Sequence, residues 1–169
     1  MKYKPKLVAF VGICTALTMV LAYIEVLLPP LFPSIPGIKM GLPNIIILFL
    51  LYRRGPVFAS VVSIIRIVLI SMLFGNMMAF LYSIAGGILS LLIMILLRRL
   101  QCFSTVGVSV AGGVAHNIGQ ILMAMLLLET AEFGYYLIIL ILTGTISGIL
   151  IGLCGALLIK RIPESIFKD

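Results

Sequence analysis

Apolar residues occur in long runs along this sequence, and polar residues, prolines and glycines separate the runs. Five runs are long enough to cross a bilayer, because a hydrocarbon core of about 30 Å requires roughly 20 apolar helical residues. These five runs are about 7–28, 57–75, 79–97, 104–128 and 135–159. A shorter run, about 40–52, would extend only about 20 Å as a helix. The pattern predicts an all-α, polytopic membrane protein, a single domain over 1–169 with six transmembrane helices and a short second one.

The basic residues indicate that the short run also crosses. Lys and Arg near span ends are retained on the cytoplasmic side of a membrane. With six crossings and a cytoplasmic N-terminus, ten of the twelve basic residues fall on that side. They are Lys2, Lys4, Lys6, Arg53, Arg54, Arg98, Arg99, Lys160, Arg161 and Lys168. If the short run did not cross, both arginine pairs and the C-terminal cluster would lie outside. We therefore expect both termini in the cytoplasm.

Two segments allow a second interpretation. The first run could be a secretory signal with a weak cleavage pattern at Val20-Leu21-Ala22. Without this run, however, the basic residues would no longer lie mainly on the cytoplasmic side. The connection Leu28–Pro43 holds five of the eight prolines. Since irregular backbone at membrane depth must be covered by protein or face water, this segment is either a structured cap over a cavity or a long, stiffened connection.

The composition excludes several classes of function. Hydrophobic residues make up 63% of the chain and charged residues 10%, far from the values of soluble domains. The few acidic residues form no cluster, there is one histidine, and the phosphate-loop, H-E-x-x-H and C-x-x-C motifs are absent. We therefore expect no metal, no cofactor and no ATPase activity. The net charge of +7 comes from scattered basic pairs, so no nucleic-acid partner is expected.

Polar residues inside the predicted spans are the candidates for a ligand site, because an ionisable side chain in hydrocarbon costs roughly 2.5–3.5 kcal/mol on insertion scales. The candidate substrate-binding residues are Lys39, Asn44, Arg66, Asn76, His116, Asn117 and Gln120. Arg66 is permanently charged and requires either Glu25 as a counter-ion or a ligand anion. Two interpretations stay open: an Arg66–Glu25 ion pair that joins helices, or an outward pocket in which Arg66 and Lys39 meet an anionic group.

Small residues recur at four-residue spacing in several spans, and helices in lipid approach closely at such residues. We interpret three sets as internal packing: Gly144, Gly148 and Gly152; Ala111, Ala115 and Gly119; and Ala85-Gly86-Gly87. Gly12 and Ala16 in the first span have the same spacing. For this pair, docking of another membrane protein is a second interpretation.

Four stretches of the sequence resemble a known membrane family. They are "PGIKMGLPNIIILFLLY" (36–52), "SIIRIVLISMLFGN" (63–76), "LYSIAGGILSLLIM" (81–94) and "GVSVAGGVAHNIGQILMAMLL" (107–127). These stretches are similar to the family variously named Gx transporter or heptaprenyl diphosphate synthase component I. The six spans, the short second helix and the first outer loop also resemble the substrate-binding S components of energy-coupling-factor (ECF) transporters.

The transporter name implies a substrate-binding subunit of an energy-coupled uptake system for a small anionic or amphipathic nutrient. Its partners would be an ECF coupling protein and two ATPase subunits, and docking would use Gly12 and Ala16. S components often carry Ala-x-x-x-Ala at this place, whereas this chain has Gly12-x-x-x-Ala16.

The synthase name implies a membrane component of isoprenoid or menaquinone metabolism, and some relatives resemble components of flavin-linked extracellular electron transfer. Known prenyl diphosphate synthases carry aspartate-rich Mg²⁺ motifs, but the only Asp of this chain is Asp169. We therefore expect an accessory component that is not an enzyme by itself. Under either name, we expect a multi-pass protein of the bacterial cytoplasmic membrane that binds a small or lipid-like ligand.

Overall fold

The computed structural model describes residues 5–27, 41–74, 77–129 and 132–163, and these form helices and short connections without a strand. The helices are α1 (Pro5–Leu27), α2 (Asn44–Arg53), α3 (Pro56–Phe74), α4 (Met77–Leu100), α5 (Thr105–Leu128) and α6 (Leu137–Arg161). A 3₁₀ turn, Glu132–Tyr136, precedes α6. The prediction of an all-α protein with six helices is confirmed. Most of the proline-rich connection, 28–40, lies outside the described residues, so its role as a cap stays a prediction.

Five of the helices are long and apolar enough to cross a bilayer, namely α1, α3, α4, α5 and the segment that contains α6. The helix α2 has only 10 residues, which corresponds to about 15 Å or half of a hydrocarbon core. Many large apolar side chains of the long helices are exposed, such as Leu126 and Ile138 at 72% and 71%. Because such a surface is stable only in lipid, the chain is an integral membrane protein.

Arginine contacts show that five helix ends meet at one end of the bundle. The Nη2 atom of Arg53 donates hydrogen bonds to the carbonyls of Ile159 and Ile162, the latter at 2.8 Å, at the C-terminus of α6. The Arg98 Nη2 atom donates to the carbonyl of Tyr52 at 3.3 Å. The guanidinium of Arg54 lies 5.4 Å from the ring of Phe10 in α1 and 5.5 Å from that of Phe58 in α3. We call this end the basic end; it contains Arg53, Arg54, Arg98, Lys160 and Arg161.

The short helix α2 forms the centre of the protein core next to the basic end. Ile47, Leu48, Leu50 and Leu51 are at most 1% exposed, and α2 packs against α3 and α6. A helix that is apolar on all sides is stable only when other helices surround it. Because α2 is short, its N-terminus lies about halfway along the bundle, and the polar Asn44 is therefore placed inside it.

Glycines allow α4, α5 and α6 to pack with their backbones in close contact. A Cβ atom at Gly148 would lie 2.6 Å from the Cα of Val110, and one at Gly119 would lie 2.8 Å from the carbonyl oxygen of Ala85. Both distances are too short for a side chain, so these positions require glycine. The interpretation of these small residues as internal packing is confirmed. Helix α1, by contrast, packs mainly against α3 and leaves a wide face open.

Candidate ligand cavity

A cavity of about 60 Å³ lies between α1, α2, α3, α4 and α5. Its lining residues are Ala22, Glu25, Gly41, Asn44, Arg66, Ile67, Ile70, Ser71, Ser83, His116 and Gln120. One buried water requires roughly 10–15 Å³ of such space. The cavity therefore has room for several waters or a small polar group, but not for a long lipid chain.

The cationic group of the cavity is Arg66, near the middle of α3. It lies ten residues after Pro56, which places it about 15 Å from the basic end. Its Nε atom is buried and has no hydrogen-bond partner among the described residues. The carboxylate of Glu25 interacts with Arg66 electrostatically. The Nε atoms of Arg53 and Arg54 at the basic end are in the same state as that of Arg66. Of these, only the Arg66 Nε atom belongs to a residue that lines the cavity, where its N–H is a donor for an acceptor in this space.

Glu25 is also bonded to the turn that precedes α2. One of its carboxylate oxygens accepts a hydrogen bond from the backbone N–H of Gly41. Gly41 has φ +76°, a conformation that glycine adopts readily, and its carbonyl accepts from the N–H of Asn44 at 2.8 Å. The next two N–H groups of the turn bond to Leu42 and Pro43. The start of α2 therefore acts on the cavity through its helix dipole and the Asn44 side chain rather than through free N–H groups.

His116 and Gln120 reach the cavity from α5, where their four-residue spacing places them on one face. Gly86 of α4 lies opposite them. A Cβ atom at Gly86 would be 2.7 Å from the carbonyl oxygen of His116 and 2.8 Å from the Cγ of Gln120. The missing side chain at Gly86 thus allows α5 to approach α4 closely enough for both polar groups to line the cavity.

Asn117 lies on another side of α5, about 100° around the helix from its neighbour His116. It is 6% exposed, and its Nδ2 atom donates a hydrogen bond to the carbonyl of Leu140 at 2.6 Å. This contact joins α5 to α6, and Asn117 does not line the cavity. The structure therefore places it apart from the other predicted site residues.

The remaining predicted residues divide into two groups. Asn44, Arg66, His116 and Gln120 line the cavity together with Glu25, whereas Lys39 and Asn76 lie outside the described residues. The Arg66–Glu25 pair shares the cavity and interacts electrostatically.

The predicted docking residues lie on the open face of α1 and do not line the cavity. Gly12 and Ala16 are both exposed, and a Cβ atom at Gly12 would meet nothing within 4 Å. Docking of a partner at this face stays a prediction.

Two serines of the cavity were missed by the sequence analysis, because serine is too common in membrane helices to stand out. Ser71 and Ser83 both line the cavity. Ser83 is three and four residues before Gly86 and Gly87, so it shares their helix face. The Gly86-Gly87 pair in the sequence was the signal that could have identified Ser83, because the face that Ser83 shares with these glycines packs against other helices.

The cavity combines charged and hydrogen-bonding groups. One guanidinium, one imidazole, two amides and two hydroxyls surround a small space, with one carboxylate beside them. Within the described ranges, no group of three or more His, Cys, Asp or Glu side chains could hold a metal ion. The arrangement can bind a polar or anionic group through charge and hydrogen bonds.

Residues 14–158 match the family described as heptaprenyl diphosphate synthase component I. The chain belongs to this family. The match contains every residue that lines the cavity, and it confirms the resemblance of the four sequence stretches to this family. No curated protein and no solved structure matches the chain. The family description, heptaprenyl diphosphate synthase component I, implies a second synthase component as a partner.

Proposed function

We propose that this protein is the non-catalytic membrane component of a prenyl diphosphate synthase system, and that it binds the diphosphate group of an isoprenoid in the cavity. The observation that carries the proposal is the buried Nε of Arg66, which has no hydrogen-bond partner among the described residues and belongs to a cavity that also contains His116 and Gln120. A partner component would perform the prenyl transfer.

The cavity matches a diphosphate in charge and in hydrogen bonding. Guanidinium groups bind phosphate oxygens with two parallel hydrogen bonds, which are stronger than bonds between neutral groups. His116, Gln120 and Asn44 supply further donors. Glu25 balances the charge of Arg66, and the hydrogen bond from the Gly41 N–H fixes the position of its carboxylate. An anionic ligand would replace Glu25 as the main partner of Arg66.

The scarcity of acidic residues that could bind metal ions supports an accessory role. Prenyl transfer from a diphosphate requires metal ions that stabilise the leaving group. The single Asp of the chain is Asp169, and the described residues contain no metal-binding cluster. Diphosphate binding by Arg66 would hold a substrate or a product, and the metal site and the prenyl transfer itself would belong to the partner.

The basic end supports a cytoplasmic location for both termini in a bacterial cytoplasmic membrane. Positive residues near span ends stay on the cytoplasmic side, and Arg53, Arg98 and Arg161 all belong to the basic end. In this orientation the cavity lies near the middle of the membrane or toward its outer half.

The experiment is binding of farnesyl diphosphate to the protein in phosphatidylcholine nanodiscs, with empty discs subtracted. Charged hydrogen bonds contribute about 1.5–3 kcal/mol, so Arg66→Gln is expected to weaken binding at least tenfold. Arg99→Gln, at the exposed C-terminal turn of α4, is the control and should bind as the wild type does. Unchanged affinity of Arg66→Gln together with a lower melting temperature would show that Arg66 only joins helices.

A second candidate is an S-component-like subunit of an energy-coupled transporter, and the open face of α1 favours it. Gly12 and Ala16 are exposed there and are not used in internal packing. Co-expression with an ECF coupling protein and its ATPase subunits tests this function. A stable complex that Gly12→Leu abolishes would support transport, and purification of this chain without those subunits would exclude it.

A further inference from the structure

An apolar groove runs along the outside of the bundle between α3 and α4, with a volume of about 130 Å³. Apart from the hydroxyls of Ser60 and Ser63, its lining consists of aliphatic residues and one glycine. The rim residues Ile64, Ile88 and Leu92 are 47%, 49% and 58% exposed, whereas the floor residue Leu91 is 7% exposed. The groove is therefore open sideways to the lipid.

The groove begins where the polar cavity ends. Ile67 lines both spaces. On α4, Ser83 lines the cavity, and the next residue, Ile84, lines the groove. A Cβ atom at Gly87 would lie 2.6 Å from the Cδ1 of Ile67, so the glycine provides the space in which the tip of Ile67 lies. Ile67 therefore lies at the boundary between the cationic cavity and the apolar groove.

The length and direction of the groove suit a linear hydrocarbon. From Ile84 to Ile95 the groove follows eleven residues of α4, which corresponds to about 16 Å toward the basic end. The cavity of about 60 Å³ has room only for a head group, so a prenyl chain attached to a bound diphosphate must leave it. At Ile67, the cavity that contains Arg66 adjoins this apolar space.

We infer that the prenyl chain of an isoprenoid diphosphate lies in the α3–α4 groove while its diphosphate is in the cavity beside Arg66. This inference rests on the proposed function. When the ligand binds, the tip of Ile67 leaves the space beside Gly87, and this space becomes part of the path of the chain. Because lipid tails are as apolar as the groove, the groove orients the chain through packing, and the diphosphate supplies most of the affinity.

The test uses a farnesyl diphosphate analogue with a diazirine at the end of the chain, added to the wild-type protein in phosphatidylcholine nanodiscs. After irradiation, peptide mass spectrometry locates the adducts. We expect them on residues 60–64 of α3 and 88–95 of α4, and we expect an excess of unlabelled farnesyl diphosphate to remove them. Inorganic diphosphate should also compete, since it occupies the head-group cavity.

A matched pair of variants tests the groove itself. Leu92 lines the groove, and Leu157 on α6 does not; their exposed fractions are 58% and 59%. Leu92→Trp places a larger side chain in the groove and should lower the α3 adducts at least about fivefold, which corresponds to about 1 kcal/mol, the lower end of the cost of overpacking. Leu157→Trp should leave them unchanged.

The outcomes separate this inference from the proposed function. In one outcome, the adducts disappear with excess farnesyl diphosphate and yet lie on other helices. This result would overturn the inference that the chain lies in the groove, and it would leave the proposal of diphosphate binding intact. Adducts spread over all lipid-facing surfaces and insensitive to competitor would overturn both. The wild-type adduct map decides between these outcomes even if Leu92→Trp does not fold.

Discussion

At the residue scale, His116 and Asn117 are neighbours in the chain but belong to different parts of the structure. His116 lines the cavity with Gln120, whereas Asn117 bonds to the carbonyl of Leu140 at 2.6 Å. Both are polar groups in a membrane helix, and each avoids lipid in its own way. One faces a cavity, and the other faces a backbone acceptor of α6.

This difference predicts opposite effects for two alanine substitutions. Asn117→Ala removes the bond to α6 and should lower the free energy of unfolding by about 1 kcal/mol, the upper part of the range for hydrogen bonds between membrane helices. Its affinity for farnesyl diphosphate should not change. Gln120→Ala should weaken that binding and affect unfolding less. Detergent-induced unfolding and nanodisc binding measure the two quantities, and a loss of binding in Asn117→Ala would contradict this assignment.

At the scale of the helices, α5 is held between α4 and α6 by contacts that leave no space for side chains. Gly119 meets the backbone of α4, and Gly148 of α6 meets the backbone of α5. Since lipid supplies no hydrophobic driving force for helix association, such close packing contributes much of the stability. These contacts also set the rotation of α5 and therefore decide which of its side chains reach the cavity.

Gly148→Ala tests the close packing of α5 and α6. The new Cβ would lie 2.6 Å from the backbone Cα of Val110, which cannot rotate away, so the helices must separate. We expect the free energy of unfolding to fall by about 1–3 kcal/mol. The control is Gly12→Ala, where nothing lies within 4 Å. Equal stability of the two variants in detergent-induced unfolding would contradict the packing argument.

Arg53 connects the short helix α2 to the end of α6. Its guanidinium donates to the carbonyls of Ile159 and Ile162, which lie in the last turn of α6 and at its end. Arg53→Ala removes these charged hydrogen bonds and should lower the free energy of unfolding by about 2 kcal/mol. Arg99→Ala is the control, because Arg99 is exposed. A smaller loss in Arg53→Ala than in Arg99→Ala would show that this connection is not important.

At the scale of the whole molecule, charge and polarity are separated along the bundle. The arginines of the basic end lie at the C-terminus of the buried helix α2, and the polar cavity begins where α2 starts. The short α2 thus creates both features, since its apolar length fills one half of the core and its N-terminus leaves a polar space in the other half.

The proposed orientation can be measured with a native cysteine. Cys102 is exposed and follows α4 at the basic end. A membrane-impermeant maleimide should label it in inside-out vesicles and not in right-side-out vesicles, because basic residues at span ends stay in the cytoplasm. Cys102→Ser provides the background from Cys14 and Cys154. Labelling in right-side-out vesicles alone would reverse the orientation.

The candidate site was predictable from the sequence only in part. Arg66 and His116 stand out because transfer of an ionisable side chain into the hydrocarbon core costs free energy, whichever way the helix is rotated. Ser83 does not stand out, and Asn117 stands out although it packs against α6. Which polar residues share a cavity depends on how each helix is rotated, and contacts distant in sequence, such as that of Gly86 with His116, set this rotation.

The sequence by itself determined the membrane location, the number of helices and the short second helix, because transfer of apolar residues into lipid and the length of each run are local properties. Only the tertiary structure decided that α2 is enclosed by other helices, that Glu25, Arg66 and His116 line one cavity, and that an apolar groove adjoins it at Ile67. These features arise from packing between helices, which no single run of residues specifies.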